Sequence, residues 1–117
     1  MDTIKKLLSQ EEIPASELQR LLELRKKKSI SFLLVDVREQ YEYKNSRIKG
    51  VDYLIPMSEF FNQVSQIEDY KTETIILQCK SGGRSMQAKK QLEMMGFNKT
   101  INLAGGISAY DGIKENG

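Results

Sequence analysis

The sequence predicts an α/β domain built on a mainly parallel sheet. Three observations carry this reading. Short apolar runs rich in β-branched residues alternate with amphipathic helical stretches along the chain. No internal repeat or low-complexity stretch breaks the alternation, so one domain is expected. Two segments of chemical interest, Asp36-Val37-Arg38 and Cys79 to Ser85, begin where predicted strands end, the edge at which such sheets bind ligands.

At the start, Ile4, Leu7 and Leu8 are spaced for one helical face. Residues 1–12 therefore read as an extension, either a short helix packed on the domain or a frayed end. The domain proper is expected over 13–117. Ser16 with Gln19 reads as a capping box, and Leu18, Leu21, Leu22 and Arg25 follow at helical spacing. That helix ends in Arg25-Lys26-Lys27-Lys28, cations that complement the helix dipole and are expected to sit in water.

Phe32 to Val35 reads as a strand buried on both faces, and residues 39–45 as a short helix. Val51 to Ile55 is a second strand, stopped by Pro56. Ser58 is placed as the cap of a helix running through Phe60, Phe61 and Val64. Thr74 to Gln78, with its β-branched residues, is a third strand. The helix after the cysteine loop is expected to start near Arg84 or Ser85. It buries Ser85, Ala88, Leu92 and Met95, turns Lys89, Lys90 and Glu93 outward, and ends at Gly96. Thr100 to Leu103 is a last short strand, after which Gly105-Gly106 leads into a final helix from Ile107 to Ile113.

The 117 residues are 39% hydrophobic and 29% charged, enough for one core without staples and far from a disordered composition. Eighteen basic against 16 acidic residues leave a net charge of +2, too balanced to imply nucleic acid. One cysteine excludes an internal disulfide framework, and with no histidine a zinc site lacks ligands; neither metal nor cofactor is called for. No apolar leader or membrane span is seen, so a cytoplasmic protein in a reducing compartment is expected, with nothing that forces assembly beyond a monomer.

Cys79 is the candidate reactive group. It closes a buried strand, and Lys80-Ser81-Gly82-Gly83 is short and permissive before the next helix. Two glycines allow successive N–H groups to point inward as an anion-binding nest, and the helix start adds unpaired N–H groups. Lys80 and Arg84 add positive charge. Each factor favours thiolate over thiol. Without histidine a Cys–His pair for acyl transfer cannot form, so activation must come from the loop. Sulfur transfer through a persulfide suits that limit, because it needs no strong general base.

Four blocks resemble the rhodanese homology domain, over roughly Ile13 to Ile113. They are Phe32 to Glu39 with Tyr41-Glu42-Tyr43, then Ile48-Lys49-Gly50 with Ile55-Pro56, then Cys79 to Ser85, then Asn102 to Ile107. The resemblance implies a five-stranded, mainly parallel sheet flanked by helices on both faces. It implies that Cys79 takes a sulfane sulfur from a donor such as thiosulfate, polysulfide or a protein persulfide, and passes it to a thiol, cyanide or an acceptor protein. Lys80, Ser81, Gly82, Gly83, Arg84 and Ser85 would cradle the sulfur or the donor's oxygens. Asp36 and Arg38 would hold the loop. Two departures stand out: Ser46-Arg47-Ile48 replaces the usual Gly-His-Ile, and Tyr110 stands where a tryptophan is common. The first is expected to alter a supporting turn, the second to pack in the core with its hydroxyl bonded.

Two other readings compete. Related phosphatases and arsenate reductases set a cysteine and an arginine in a similar cradle, but the spacing from Cys79 to Arg84 is shorter than a ring of donors around a phosphoryl group needs. A docking or regulatory module could keep the fold without the chemistry, although it would have no need of an anion nest.

Overall fold

Residues 2–117 are described by a computed structural model. The alternation of strands and helices resolves there into a five-stranded sheet and a two-stranded ribbon. The sheet runs in the order β1 (Glu12–Pro14), β6 (Lys99–Ala104), β5 (Thr74–Gln78), β2 (Leu33–Asp36), β4 (Tyr53–Leu54), and every neighbouring pair is parallel. The central register sets Asp36 opposite Gln78, and Val37 N–H continues the ladder to Gln78 O at 2.9 Å. The segments after β2 and β5 thus leave the sheet side by side at its carboxyl edge.

The strands are apolar on both faces because both faces are covered. Leu34, Ile76, Ile101 and Leu103 pack under α1 (Asp2–Leu7) and α2 (Leu18–Lys26), with Ile4, Leu18, Leu21 and Leu22. Val35, Val37, Ile75 and Leu77 pack against α4 (Phe60–Gln63), the 3-10 turns of Val64–Tyr70 and α5 (Gly83–Met94), through Phe60, Ile67, Ala88 and Leu92. Each fully buried leucine or isoleucine contributes about 1.5–3 kcal/mol of apolar burial. Cys79 belongs to the second cluster, so the loop that follows it grows directly out of packed core.

Several expectations are corrected. No capping box forms at Ser16: Ala15–Glu17 is a 3-10 turn with no side-chain cap. Gln19 is engaged elsewhere, its Oε1 accepting the Tyr110 hydroxyl at 2.6 Å and Ile113 N–H at 2.9 Å. The capping box instead opens α3 (Gln40–Asn45), formed by Glu39 and Glu42. Ser58 does not cap a helix. It lies within a 3-10 turn, Met57–Glu59, with its hydroxyl on the Glu39 carboxylate, and the expected helix breaks into α4 and the 3-10 turns after it. The strand expected over 51–55 narrows to the two residues of β4.

The final helix is absent. Gly106–Ala109 makes a 3-10 turn, and the chain then extends so that β7 (Lys114–Glu115) pairs antiparallel with β3 (Arg47–Ile48). The anchored Tyr110 hydroxyl holds this stretch against α2. Lys89 is buried rather than outward: its stem lies along the core and its Nζ donates to Glu93 at 2.6 Å. Arg25 likewise leaves the solvated run to bond Asp52 at 2.6 Å and the carbonyls of Phe32 and Gly50, while Lys26 to Lys28 stay exposed. No helix among the described residues is long and apolar enough to cross a membrane.

Candidate active site

Cys79 is the first residue past β5 and is 1% exposed. Its carbonyl accepts the Gln78 side-chain amide and Ile107 N–H, each at 2.9 Å, and the Lys80 carbonyl accepts Ser108 N–H at 3.0 Å. The Gly106–Ala109 turn therefore pins the entry to the loop. Gly106 has a positive φ of 55°, and a Cβ there would stand 2.4 Å from Cys79 O, so this position admits only glycine.

At the other end of the loop Gly82 takes φ 111° and acts as N-cap of α5. That turn drives its N–H to within 3.0 Å of Cys79 Sγ. Gly83 has no such constraint: its φ is not positive and a Cβ would meet nothing within 4 Å. One glycine, not two, shapes the cradle. The Ser85 hydroxyl lies 3.3 Å from the sulfur. Burial pushes the Cys79 thiol up, but the Ser85 hydroxyl and the N–H groups of Ser85, Gly82 and Ser81 oppose it, and the net direction is below an ordinary thiol. The N-terminus of α5 beneath the sulfur adds to that preference.

The two cations of the loop diverge. Lys80 is exposed and has no ion pair with a described residue. Arg84 does not stand as an uncompensated charge over the sulfur. It grips Glu42 of α3 with both terminal nitrogens, at 2.7 and 3.0 Å. The bond from Arg84 dominates Glu42, outweighing burial, and with the Glu39 N–H it lowers that carboxyl from 4.5 to about 2; Arg84 is raised in turn, chiefly by Glu42. Glu42 was not singled out from the sequence. Its signal was the Glu39/Glu42 spacing at a helix start, which marks the carboxylate as a cap but does not disclose Arg84 as its partner.

Asp36 and Arg38 form a buried pair, not a surface one, at 0% and 4% exposure. Arg38 Nη2 meets Asp36 Oδ2 at 2.8 Å and the Ser46 carbonyl at 2.7 Å. Among the described residues none of their side-chain hydrogen bonds reaches the cysteine loop. They fix the end of β2 to the end of α3, and α3 presents Glu42 to Arg84. Arg47 stacks over Tyr43 at 4.8 Å and pairs with Glu115 at 3.3 Å, joining α3 to the β3–β7 ribbon. Tyr110 is buried with its hydroxyl on Gln19. Asn102 and Glu12, also not picked out from the sequence, lie behind Ser85: Asn102 Oδ1 is 2.5 Å from Ser85 Oγ, and Asn102 Nδ2 donates to Glu12 at 2.8 Å. Among the described residues no cluster of His, Cys, Asp and Glu forms a metal site.

The profile of the rhodanese-like domain family matches residues 15–112. Over 78 residues the chain is 36% identical to a sulfurtransferase of Allochromatium vinosum, an alignment covering 67% of this chain and 70% of that protein. A rhodanese-like domain protein from Staphylococcus aureus superposes with a TM-score of 0.71 at 26% identity, covering 92% of this chain and 99% of that one. A protein from Staphylococcus saprophyticus gives 0.65 at 31% identity, covering 84% and 90%. Three further curated relatives are longer, and the chain spans only 26% to 44% of their length.

Proposed function

The chain belongs to the rhodanese-like domain family, and from that premise we propose that it is a sulfurtransferase whose Cys79 carries the sulfur as a persulfide. The observation that carries the reading is the Gly82 N–H held 3.0 Å from Cys79 Sγ, in a loop that activates a thiolate where the chain has no histidine. The relative named a sulfurtransferase supports the reaction class.

In the proposed cycle the Cys79 thiolate attacks the outer sulfur of thiosulfate, a polysulfide or a protein persulfide. A new S–S bond forms at Sγ, the donor's S–S bond breaks, and its electron pair leaves with sulfite or thiolate. The charge then resides on the outer sulfur, where the N–H groups of Ser81, Gly82 and Ser85 and the cation of Lys80 favour it. An acceptor thiolate or cyanide attacks that outer sulfur, and Cys79 leaves as thiolate. No second cysteine in this chain can intercept the persulfide, so the sulfur goes to an external acceptor.

A phosphatase reading fits less well, because Glu42 already occupies the Arg84 fork that would bind a phosphoryl group. Steady-state kinetics with thiosulfate and cyanide test the proposal. Thiocyanate formation with ping-pong kinetics, abolished by Cys79→Ser, is the expected result. Inactivity with thiosulfate, polysulfide and persulfide donors alike would favour a docking module that keeps only the fold.

A further inference from the structure

Ser85 has one hydroxyl proton and three acceptors around it. Its Oγ lies 2.5 Å from Asn102 Oδ1, 3.3 Å from Gly82 O and 3.3 Å from Cys79 Sγ. The Asn102 amide cannot choose its orientation. Its Nδ2 stands 2.8 Å from a carboxylate oxygen of Glu12, which only accepts, so Oδ1 must face Ser85 and needs a donor there. Ser85 and Asn102 are 0% and 1% exposed, so neither oxygen can turn to bulk water for a replacement. The shortest contact claims the proton. While that proton sits on Asn102, Ser85 presents a lone pair to Cys79, which suits an S–H donor, so the help its hydroxyl gives the thiolate is only partial.

We propose that Glu12 and Asn102 are positioning residues that act through Ser85, withholding its hydroxyl from the free Cys79 thiolate. The inference deepens the reading of Cys79 as sulfur carrier and rests on it. In the thiol state every group is satisfied, with S–H donating to Ser85 and Ser85 donating to Asn102. In the persulfide state Sγ carries neither proton nor full charge, so Ser85 stays on Asn102 while the loop N–H groups hold the outer sulfur. Only the bare thiolate is left short. Ser85 must either abandon a buried amide oxygen or leave the sulfur with N–H donors alone. Above the midpoint, where the thiol is already ionised, a less stabilised thiolate is the better nucleophile, so there the network favours loading the carrier.

Lys80, Arg84 with Glu42, and Glu12 behind Asn102 are the charges around the sulfur. Their effect does not pass through the Ser85 proton, which a double-mutant cycle isolates. The measurement is the pH dependence of Cys79 alkylation by iodoacetamide in the full chain. Asn102→Leu keeps the side-chain shape and frees the hydroxyl. It should lower the midpoint, raising the thiolate fraction at a fixed pH below it by roughly three- to tenfold. Ser85→Ala alone removes only the weaker 3.3 Å contact and should raise the midpoint slightly, and adding Ser85→Ala to Asn102→Leu should abolish the downward shift. An unchanged or raised midpoint in Asn102→Leu would overturn the proposal, as would a shift that survives Ser85→Ala.

Glu12→Gln, at the exposed edge strand, gives a second route if Asn102→Leu does not fold. It lets the amide turn, so a smaller downward shift is expected that again vanishes with Ser85→Ala. A shift independent of Ser85 would assign the effect to the Glu12 charge and contradict the relay. Alkylation needs no sulfur donor. A cycle that behaves as described in a chain that never forms a persulfide would therefore sink the carrier reading and leave the relay standing.

Discussion

Two arginine–carboxylate pairs lie behind and beside the cysteine loop, alike in chemistry and opposite in setting. Asp36–Arg38 is closed between residues two apart, and its side chains are 0% and 5% exposed. Arg38 spends its donors on both Asp36 oxygens and on the Ser46 carbonyl. Glu42–Arg84 joins α3 to α5 across the chain, and its side chains are 16% and 34% exposed. The inner pair has no water to fall back on and belongs to the fold. The outer pair can open at the rim, and in the proposed cycle it would set how much positive charge the loop shows an incoming donor. Burial, rather than residue type, separates the structural role from the electrostatic one.

Breaking the inner pair should have the largest effect. Asp36→Ala leaves a buried guanidinium without its counter-charge and is expected to cost about 3–5 kcal/mol in urea unfolding. Glu42→Gln, by contrast, should change stability by under about 1 kcal/mol. Equal losses from the two would erase the distinction.

The outer pair should speak through donor choice. Arg84→Ala exposes the Glu42 carboxylate beside the loop, so kcat/KM for thiosulfate should fall about tenfold more than for a neutral trisulfide donor. Adding Glu42→Gln should recover most of that difference, and added salt should shrink it. Glu42→Gln alone releases Arg84 and should raise thiosulfate use by roughly threefold. Equal losses with both donors would remove the electrostatic role of the pair.

A smaller effect is expected with pH. The folded carboxyl of Glu42 titrates near 2 rather than 4.5, so its contribution is fully present above about 4.5 and is lost as pH falls through 2. An acid titration of unfolding should show this loss in the wild type and lack it in Glu42→Gln.

What the sequence disclosed depended on how local the signal was. β5 spans the residues expected of it, Thr74 to Gln78, because a short run buried on both faces suits a central strand of a parallel sheet. The cysteine loop was legible for the same reason: strand end, glycine and helix start are consecutive. β1 was not, since three residues ending in Pro14 become a strand only by lying along β6. Nor was the β3–β7 ribbon, whose Arg47 and Glu115 meet from distant parts of the chain. The Arg84 charge was read as free because Glu42, its partner, is supplied by another helix. Lys89 was read as outward because helical periodicity does not show that a lysine stem lies along the core.

The central claim is that Cys79 carries the transferred sulfur. Intact-mass measurement of the full chain after exposure to thiosulfate and to polysulfide tests it directly. The account predicts a gain of one sulfur atom that cyanide removes and that Cys79→Ser does not acquire. A chain whose mass stays unchanged with every donor, or whose added sulfur survives Cys79→Ser, would contradict it.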